Sequence, residues 1–300
     1  MKKVLLATTV LAGFAGAAFA DDATKVKLSG YGRFGVLSYA GNTDIVTRMR
    51  LNFDASVTVD SGVEFGGRIR MQSTNVGGGA TLNDAQLHAS YQGLRVEVGN
   101  SNTAYDSAAL MWDSEMGFLD SSAGDPVEPT FYYSSGPLSG GYMGVFVSYS
   151  VGDFNGMLSY VDPNQSASGT TKETSVAADY KFGQFKVSAA YTHNGAGVAG
   201  VNAAFVGASY AINDVTTVGL NYFDEGATGA KAKTTTLYGN YKMDAITLRG
   251  YVASSDRTGK TETALGLGAD YDLGGARLSG SVQSDYNSDT WVDLGVRFDF

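Results

Sequence analysis

Alternation of apolar and polar residues constrains this chain more than any other feature. At the C-terminus Val292, Leu294, Val296, Phe298 and Phe300 share one parity, and Trp291, Asp293, Gly295, Arg297 and Asp299 share the other. An extended strand throws successive side chains to opposite faces, so this segment has one apolar and one mostly polar face. Met49, Leu51 and Phe53 against Arg48, Arg50 and Asn52 repeat the pattern, as do Ile69 and Met71 against Arg68, Arg70 and Gln72. Helical spacing of apolar residues is weak throughout. Alternation alone also suits a soluble antiparallel sandwich with one wet face. Two features favour a barrel in lipid. The apolar faces mix Gly, Ala and Tyr with large aliphatics, which is odd for a packed core, and the polar faces carry charge strand after strand, as a water-filled lumen permits.

Turn signals divide the chain into about sixteen strands. Short turns at Asp60-Ser61-Gly62, Gln92-Gly93, Gly152-Asp153, Phe182-Gly183, Asn213-Asp214 and Met243-Asp244 alternate with generally longer connections such as 162–171, 194–200 and 224–230. The first strands are expected at 25–40, 45–59, 62–74, 80–92 and 93–100. A seventeenth at 129–135 would put the two termini on opposite rims, so 101–140 is read as a single long loop. Glycine supplies 40 of 300 residues, roughly twice its usual share. After residue 20 no run of 18 apolar residues occurs. The expected fold is an all-β, 16-stranded antiparallel transmembrane barrel with a long inward-folded third loop, wide enough to keep an aqueous channel.

Residues 1–20 read as a secretory signal peptide. Lys2 and Lys3 lead an apolar stretch that ends in Ala18-Phe19-Ala20, an A-x-A cleavage pattern with Ala18 and Ala20 at its small positions. The mature span, 21–300, is then one barrel domain. Without Lys2 and Lys3 it carries 19 basic residues against 30 acidic ones, which argues against nucleic acid as a partner. Cysteine is absent, so neither a disulfide scaffold nor thiolate chemistry is available.

The charges are unevenly placed. Arg33, Arg48, Arg50, Arg68, Arg70 and Arg95 all fall on the polar parity of their strands, and five of them come from the first three strands, which are neighbours in an up-and-down barrel. No Lys or Arg then occurs until Lys172, and within that gap lie Asp106, Asp113, Glu115, Asp120, Asp125 and Glu128. A loop of about forty residues is long for a compact domain. Its Tyr105, Leu110, Met111, Trp112, Phe118 and Phe131 imply that it folds against something. The loop is therefore expected to enter the barrel and set its acids opposite the arginine wall. Such a constriction has a strong transverse field that polar solutes cross and apolar solutes do not.

Other signals carry less. Gly30-x-Gly32-x-x-Gly35 matches a dinucleotide fingerprint, but no helix follows and the segment alternates as a strand. His88 and His193 each stand alone and no G-x-S-x-G elbow is present, so no enzyme is indicated. The loop acids are oxygen donors of the kind calcium takes, though no EF-hand pattern supports it. Phe298 and Phe300 end the chain with lipid-facing aromatics, the type of terminus read by outer-membrane assembly machinery.

The chain resembles the Rhodobacter-type general diffusion porins of alphaproteobacteria over its whole mature length. The resemblance is carried by Leu28-Ser-Gly-Tyr-Gly-Arg-Phe-Gly35, Asp113-Ser-Glu-Met-Gly117, Leu158-Ser-Tyr-Val-Asp-Pro163, Phe205-Val-Gly-Ala208, Leu237-Tyr-Gly-Asn-Tyr241 and Gly295-Val-Arg-Phe-Asp-Phe300. It implies a homotrimer in the outer membrane, among lipid and lipopolysaccharide, that passes small hydrophilic solutes and ions. It also implies a third loop forming an eyelet, with Asp106, Asp113, Glu115 and Asp120 facing Arg33, Arg48, Arg50, Arg68 and Arg70. Calcium near the loop would accompany it. The competing expectations are a solute-specific channel, which would want a line of aromatics along the lumen, a barrel enzyme, and a plugged structural barrel.

Overall fold

The computed structural model describes residues 24–75, 79–126, 130–134, 143–162, 171–226, 232–256 and 263–300. The signal-peptide span 1–20 and Glu128 lie outside these residues. Alternating sequence becomes strand, with the expected strand 80–92 divided in two: β1 (Thr24–Tyr39), β2 (Asn42–Thr58), β3 (Glu64–Thr74), β4 (Ala80–Leu82), β5 (Gln86–Tyr91) and β6 (Leu94–Gly99) precede the long loop. After it come β7 (Met143–Val151), β8 (Phe154–Asp162), β9 (Glu173–Phe182), β10 (Phe185–His193), β11 (Asn202–Asn213), β12 (Thr216–Asp224), β13 (Lys233–Met243), β14 (Ile246–Ser255), β15 (Thr263–Asp272), β16 (Ala276–Ser284) and β17 (Thr290–Asp299).

Every strand pairs antiparallel with its neighbour, and β17 pairs with β1. β4 and β5 both pair with β3, so they are two lengths of one stave and the barrel has sixteen. The stave breaks at 83–85, where the Asn83 N–H still reaches the Arg70 carbonyl at 2.9 Å. The sequence signals placed the first turn at 41–44. It is instead the two-residue turn Ala40-Gly41 between paired Tyr39 and Asn42. Both turn residues have positive φ, 48° and 83°, the form whose twist matches a hairpin. The closing seam is completed by reciprocal backbone bonds between Gly30 and Phe300, at 2.8 and 3.0 Å.

Burial is inverted relative to a soluble protein. Leu220, Leu237, Val252 and Leu265, aligned across four adjacent strands, are 48–57% exposed, while Asn221 and Thr236 are fully buried. The outer face is a continuous apolar surface of a size that monomeric soluble proteins do not present. Near the short-turn rim it ends in outward aromatics, including Phe182 and Phe185 stacked at 5.3 Å and Phe185 against Tyr210 at 4.6 Å. Tyr160, Tyr191 and Tyr222 stand toward the other rim. Aromatic girdles bracketing an apolar band are the signature of a barrel in a bilayer. Among the described residues, closure through β1 and β17 leaves no stave of the barrel without a partner on each side.

Candidate functional site: a charged constriction

The lumen has two unlike walls, and the long loop creates the difference. Its residues Tyr105, Leu110, Met111 and Phe131 form a core with the inward side chains Phe146, Met157, Ala177, Phe205 and Phe223 of β7, β8, β9, β11 and β12. Met116 packs with Tyr238, Tyr251 and Ala264 further round. Inward aromatics on these strands are the counterpart of the loop's own apolar content. Without the loop they would face water.

Polar contacts then fix the loop's path strand by strand. The Ala104 N–H donates to Ser159 Oγ of β8 at 2.9 Å, and the Ala109 N–H to Asp179 of β9 at 2.9 Å. Asn221 of β12 donates to the Leu110 carbonyl at 2.8 Å, Thr236 of β13 to the Gly124 carbonyl at 2.8 Å, and the Ala123 N–H to Tyr251 of β14 at 3.1 Å. Gln283 of β16 donates to the Ser121 carbonyl at 3.2 Å, and the Phe118 N–H to Asp293 of β17 at 2.8 Å. Polar residues at inward parity thus form a docking track that gives these loop backbone groups their partners. On the return, the Tyr132 N–H reaches Glu173 at 2.9 Å and Ser134 Oγ donates to Asn102 at 3.0 Å, tying the loop's two ends together.

The loop tip meets the closing seam. Arg33 donates to the Leu119 carbonyl, and Asp120 forms a two-pronged ion pair with Arg277 of β16 and Arg297 of β17. The ring of Phe118, fully buried, lies over Gly295, where a Cβ would come within 2.6 Å of it. A larger residue at Gly295 would exclude the tip.

Next to the tip stands the arginine face. Arg48 donates to Tyr31 OH at 3.3 Å, Arg50 to Gln72 Oε1 at 2.8 Å, and Arg70 to Asn52 at 3.1 Å and Ser134 Oγ at 3.4 Å. Arg50 and Arg297 both lie over the Tyr31 ring, at 5.2 and 4.3 Å. Neutral partners orient Arg48 and Arg50 without cancelling their charge. Arg68 differs, pairing with Asp54 of the adjacent strand at 2.7 Å. Arg95 sits at the loop's root, bound at 2.7 Å to the buried carboxylate of Glu97.

The acids divide as well. Asp113, Glu115 and Asp120 share a cavity of about 370 Å³ that Arg249 and Arg277 also line. Burial raises the Asp113 carboxyl despite Lys186 and Arg249. Burial, reinforced by Asp125 and Asp120, pushes Glu115 up to about 10. Asp125 is a loop cap, accepting from Ser114 Oγ at 2.8 Å and the Ser122 N–H at 2.9 Å. At Asp106 the backbone carbonyl accepts from Trp112 Nε1 at 3.3 Å. Among the described residues no three His, Asp or Glu side chains gather as a metal site.

Sequence reasoning found the arginine face and the loop but missed Arg277, Arg297 and the docking track. Arg277 and Arg297 had the right parity. Closure of the barrel, which makes the last strands neighbours of the first, would have added them to the wall.

Glu115 gives a pH test. Its folded-state affinity for a proton exceeds the ordinary carboxyl value of 4.5. Between that value and about 10 the docked loop therefore holds a proton that a released loop gives up. Docking should weaken as pH rises through the window, the reverse of a salt-bridged carboxylate. The zero-current potential in a KCl gradient should become more cation-selective as pH passes about 10, and Glu115→Gln should lack that component. Identical titrations of the two proteins would remove Glu115 as the group responsible.

A closed barrel with an apolar exterior, a polar lumen and its own loop folded inside is the build of a channel-forming membrane protein. The family model described as Gram-negative porin matches residues 7–290. The chain is 44% identical over 292 residues to a porin of Fuscovulum blasticum, covering 92% of this chain and all of that one. It is 30% identical over 311 residues to a porin of Rhodobacter capsulatus, again over 92% and 100%. A solved mutant of the Rhodopseudomonas blastica porin superposes with TM-score 0.86 at 42% identity, over 92% of this chain and all of that chain. The chain belongs to the Gram-negative porin family, a family of outer-membrane channels.

Proposed function

We propose that the protein is a general diffusion porin, through which ions and small hydrophilic solutes pass passively and without a cofactor. One observation supports this reading: the loop tip lies inside the barrel, where Asp120 pairs with Arg277 and Arg297 and where Arg297 shares the Tyr31 ring with Arg50 of the arginine face. Opposed charges across a water-filled gap orient water and polar solutes. An apolar solute must strip that ordered water without replacing its bonds. The working form is a homotrimer, exported by cleavage after Ala20 and set among outer-membrane lipid and lipopolysaccharide. Its assembly is directed by the terminal Phe298 and Phe300. A solute-specific channel would need a continuous aromatic line through the constriction, whereas the inward aromatics Phe146, Phe205 and Phe223 lie under the loop.

The test is conductance of the purified protein in a planar bilayer with KCl. Large steady steps in groups of three, with weak cation selectivity, are expected. Absent or rare small steps would remove the open-pore reading. In the same assay Arg68→Ala with Arg70→Ala should widen the constriction and admit bulkier neutral sugars in liposome swelling. An unchanged size cut-off would place the narrowest section elsewhere.

A further inference from the structure

One mouth of the barrel, on the rim carrying the longer connections, holds a second cavity of about 420 Å³. It is separate from the charged constriction. Leu37 and Tyr39 at the end of β1 and Trp291 at the start of β17 form its wall. Tyr286 and Asn287, from the connection between β16 and β17, close it, and Ala123 of the docked loop forms its floor. The lining is aromatic and aliphatic, unlike the arginine face below it.

The one ionised group in this lining is Asp285. Its carboxylate accepts from Tyr39 OH at 2.9 Å, from the Asn287 N–H at 2.8 Å and from the Asp289 N–H at 3.0 Å. Burial opposes its charge, but these bonds outweigh it and hold the carboxyl below its ordinary range. Asp289 adds a second negative charge two residues before Trp291. Among the described residues neither acid makes an ion pair with a Lys or Arg side chain.

We propose that this cavity binds small organic cations that carry an apolar or aromatic body, holding them at the mouth of the channel. Tyr39 and Trp291 in the lining are the candidate partners for the cationic head, and Trp is the strongest such partner. Leu37 and the ring edges cover the apolar body. The uncompensated charge of Asp285 and Asp289 selects cation over neutral solute. Asp285 has its oxygens occupied by local donors, so it acts through its field and is poorly placed to orient sugar hydroxyls. Because the cavity opens to the mouth, the bound ion exchanges quickly and binding is weak.

The chain has two tryptophans, Trp112 and Trp291, so Trp112→Phe leaves Trp291 as the only indole reporter. That protein, in full length and in nonionic detergent, would be titrated at constant ionic strength with benzyltrimethylammonium chloride and, separately, with maltose. A saturable change in Trp291 emission with the ammonium ion and none with maltose is expected. Asp285→Asn should raise the half-saturation concentration at least fivefold, and Ala123→Phe, which fills the floor without altering charge, should abolish the response. A linear, unsaturable response to the ammonium ion would overturn the proposal. So would a saturable response to maltose alone, which would mark a carbohydrate site. The readout is independent of conduction, so its failure leaves the porin reading standing.

Discussion

Asp120→Asn should turn the channel from weakly cation-selective toward anion-selective, with a larger conductance. The substitution removes the carboxylate that bridges Arg277 and Arg297, so the net charge of the lumen rises by one and Arg277 loses its ion-pair partner, while Arg297 keeps Asp299 at 3.1 Å. At the effective dielectric of a wet protein surface and ordinary ionic strength this amounts to about 1 kcal/mol for a permeating ion, ~5-fold in the cation-to-anion permeability ratio. Charge-assisted hydrogen bonds of this kind are worth about 1.5–3 kcal/mol each when one partner is truncated, so the loop tip also loosens. The measurement is the zero-current potential in a KCl gradient beside single-channel conductance. Unchanged selectivity would show that Asp120 lies outside the ion path. The double variant Asp120→Asn with Arg297→Gln should recover part of the original selectivity if the pair acts as described.

Phe118→Ala should leave the barrel intact and release the constriction. The side chain is fully buried over Gly295, and truncating a buried Phe costs about 3–5 kcal/mol. That loss falls on docking of the loop tip, because the barrel wall is held by its own continuous strand pairing. Single-channel records should become noisy, with excursions to higher conductance, and protease should cleave the loop at sites protected in the parent protein. The midpoint for unfolding of the barrel should barely move. A fall in that midpoint with quiet channels would mean that Phe118 supports the wall and not the loop.

What could be read in advance follows from the range of the interactions. Alternation at 292–300 and 48–53 is local, so strand identity and the facing of Arg48, Arg50, Arg68 and Arg70 followed from parity alone. Gln92-Gly93 announced its turn because glycine suits its φ of 85°. Ala40 at φ 48° announced nothing, since alanine has no preference for that region, and the first hairpin was placed late. The break between β4 and β5 depends on Asn83, whose side chain donates to the Ser134 carbonyl at 2.7 Å. That contact spans 51 residues and leaves no local trace. The charge of the loop was legible, but the task of each acid was not. Asp125 caps its own loop and Asp120 meets strands more than 150 residues away, and only the closed barrel distinguishes them.

The position of the loop tip has a consequence for how the protein is made. Phe118, Leu119 and Asp120 are held by β1, β16 and β17, with sequence separations of 86 residues between Leu119 and Arg33 and 177 between Asp120 and Arg297. Those strands become neighbours only when the first and last staves join, the slowest kind of contact for a chain to find. Until then the tip has no berth, and the barrel is an open, unconstricted sheet. The narrow passage is therefore the last feature to mature, and its appearance would serve as a clock for completion of the barrel. A half-assembled chain would leak before it filtered.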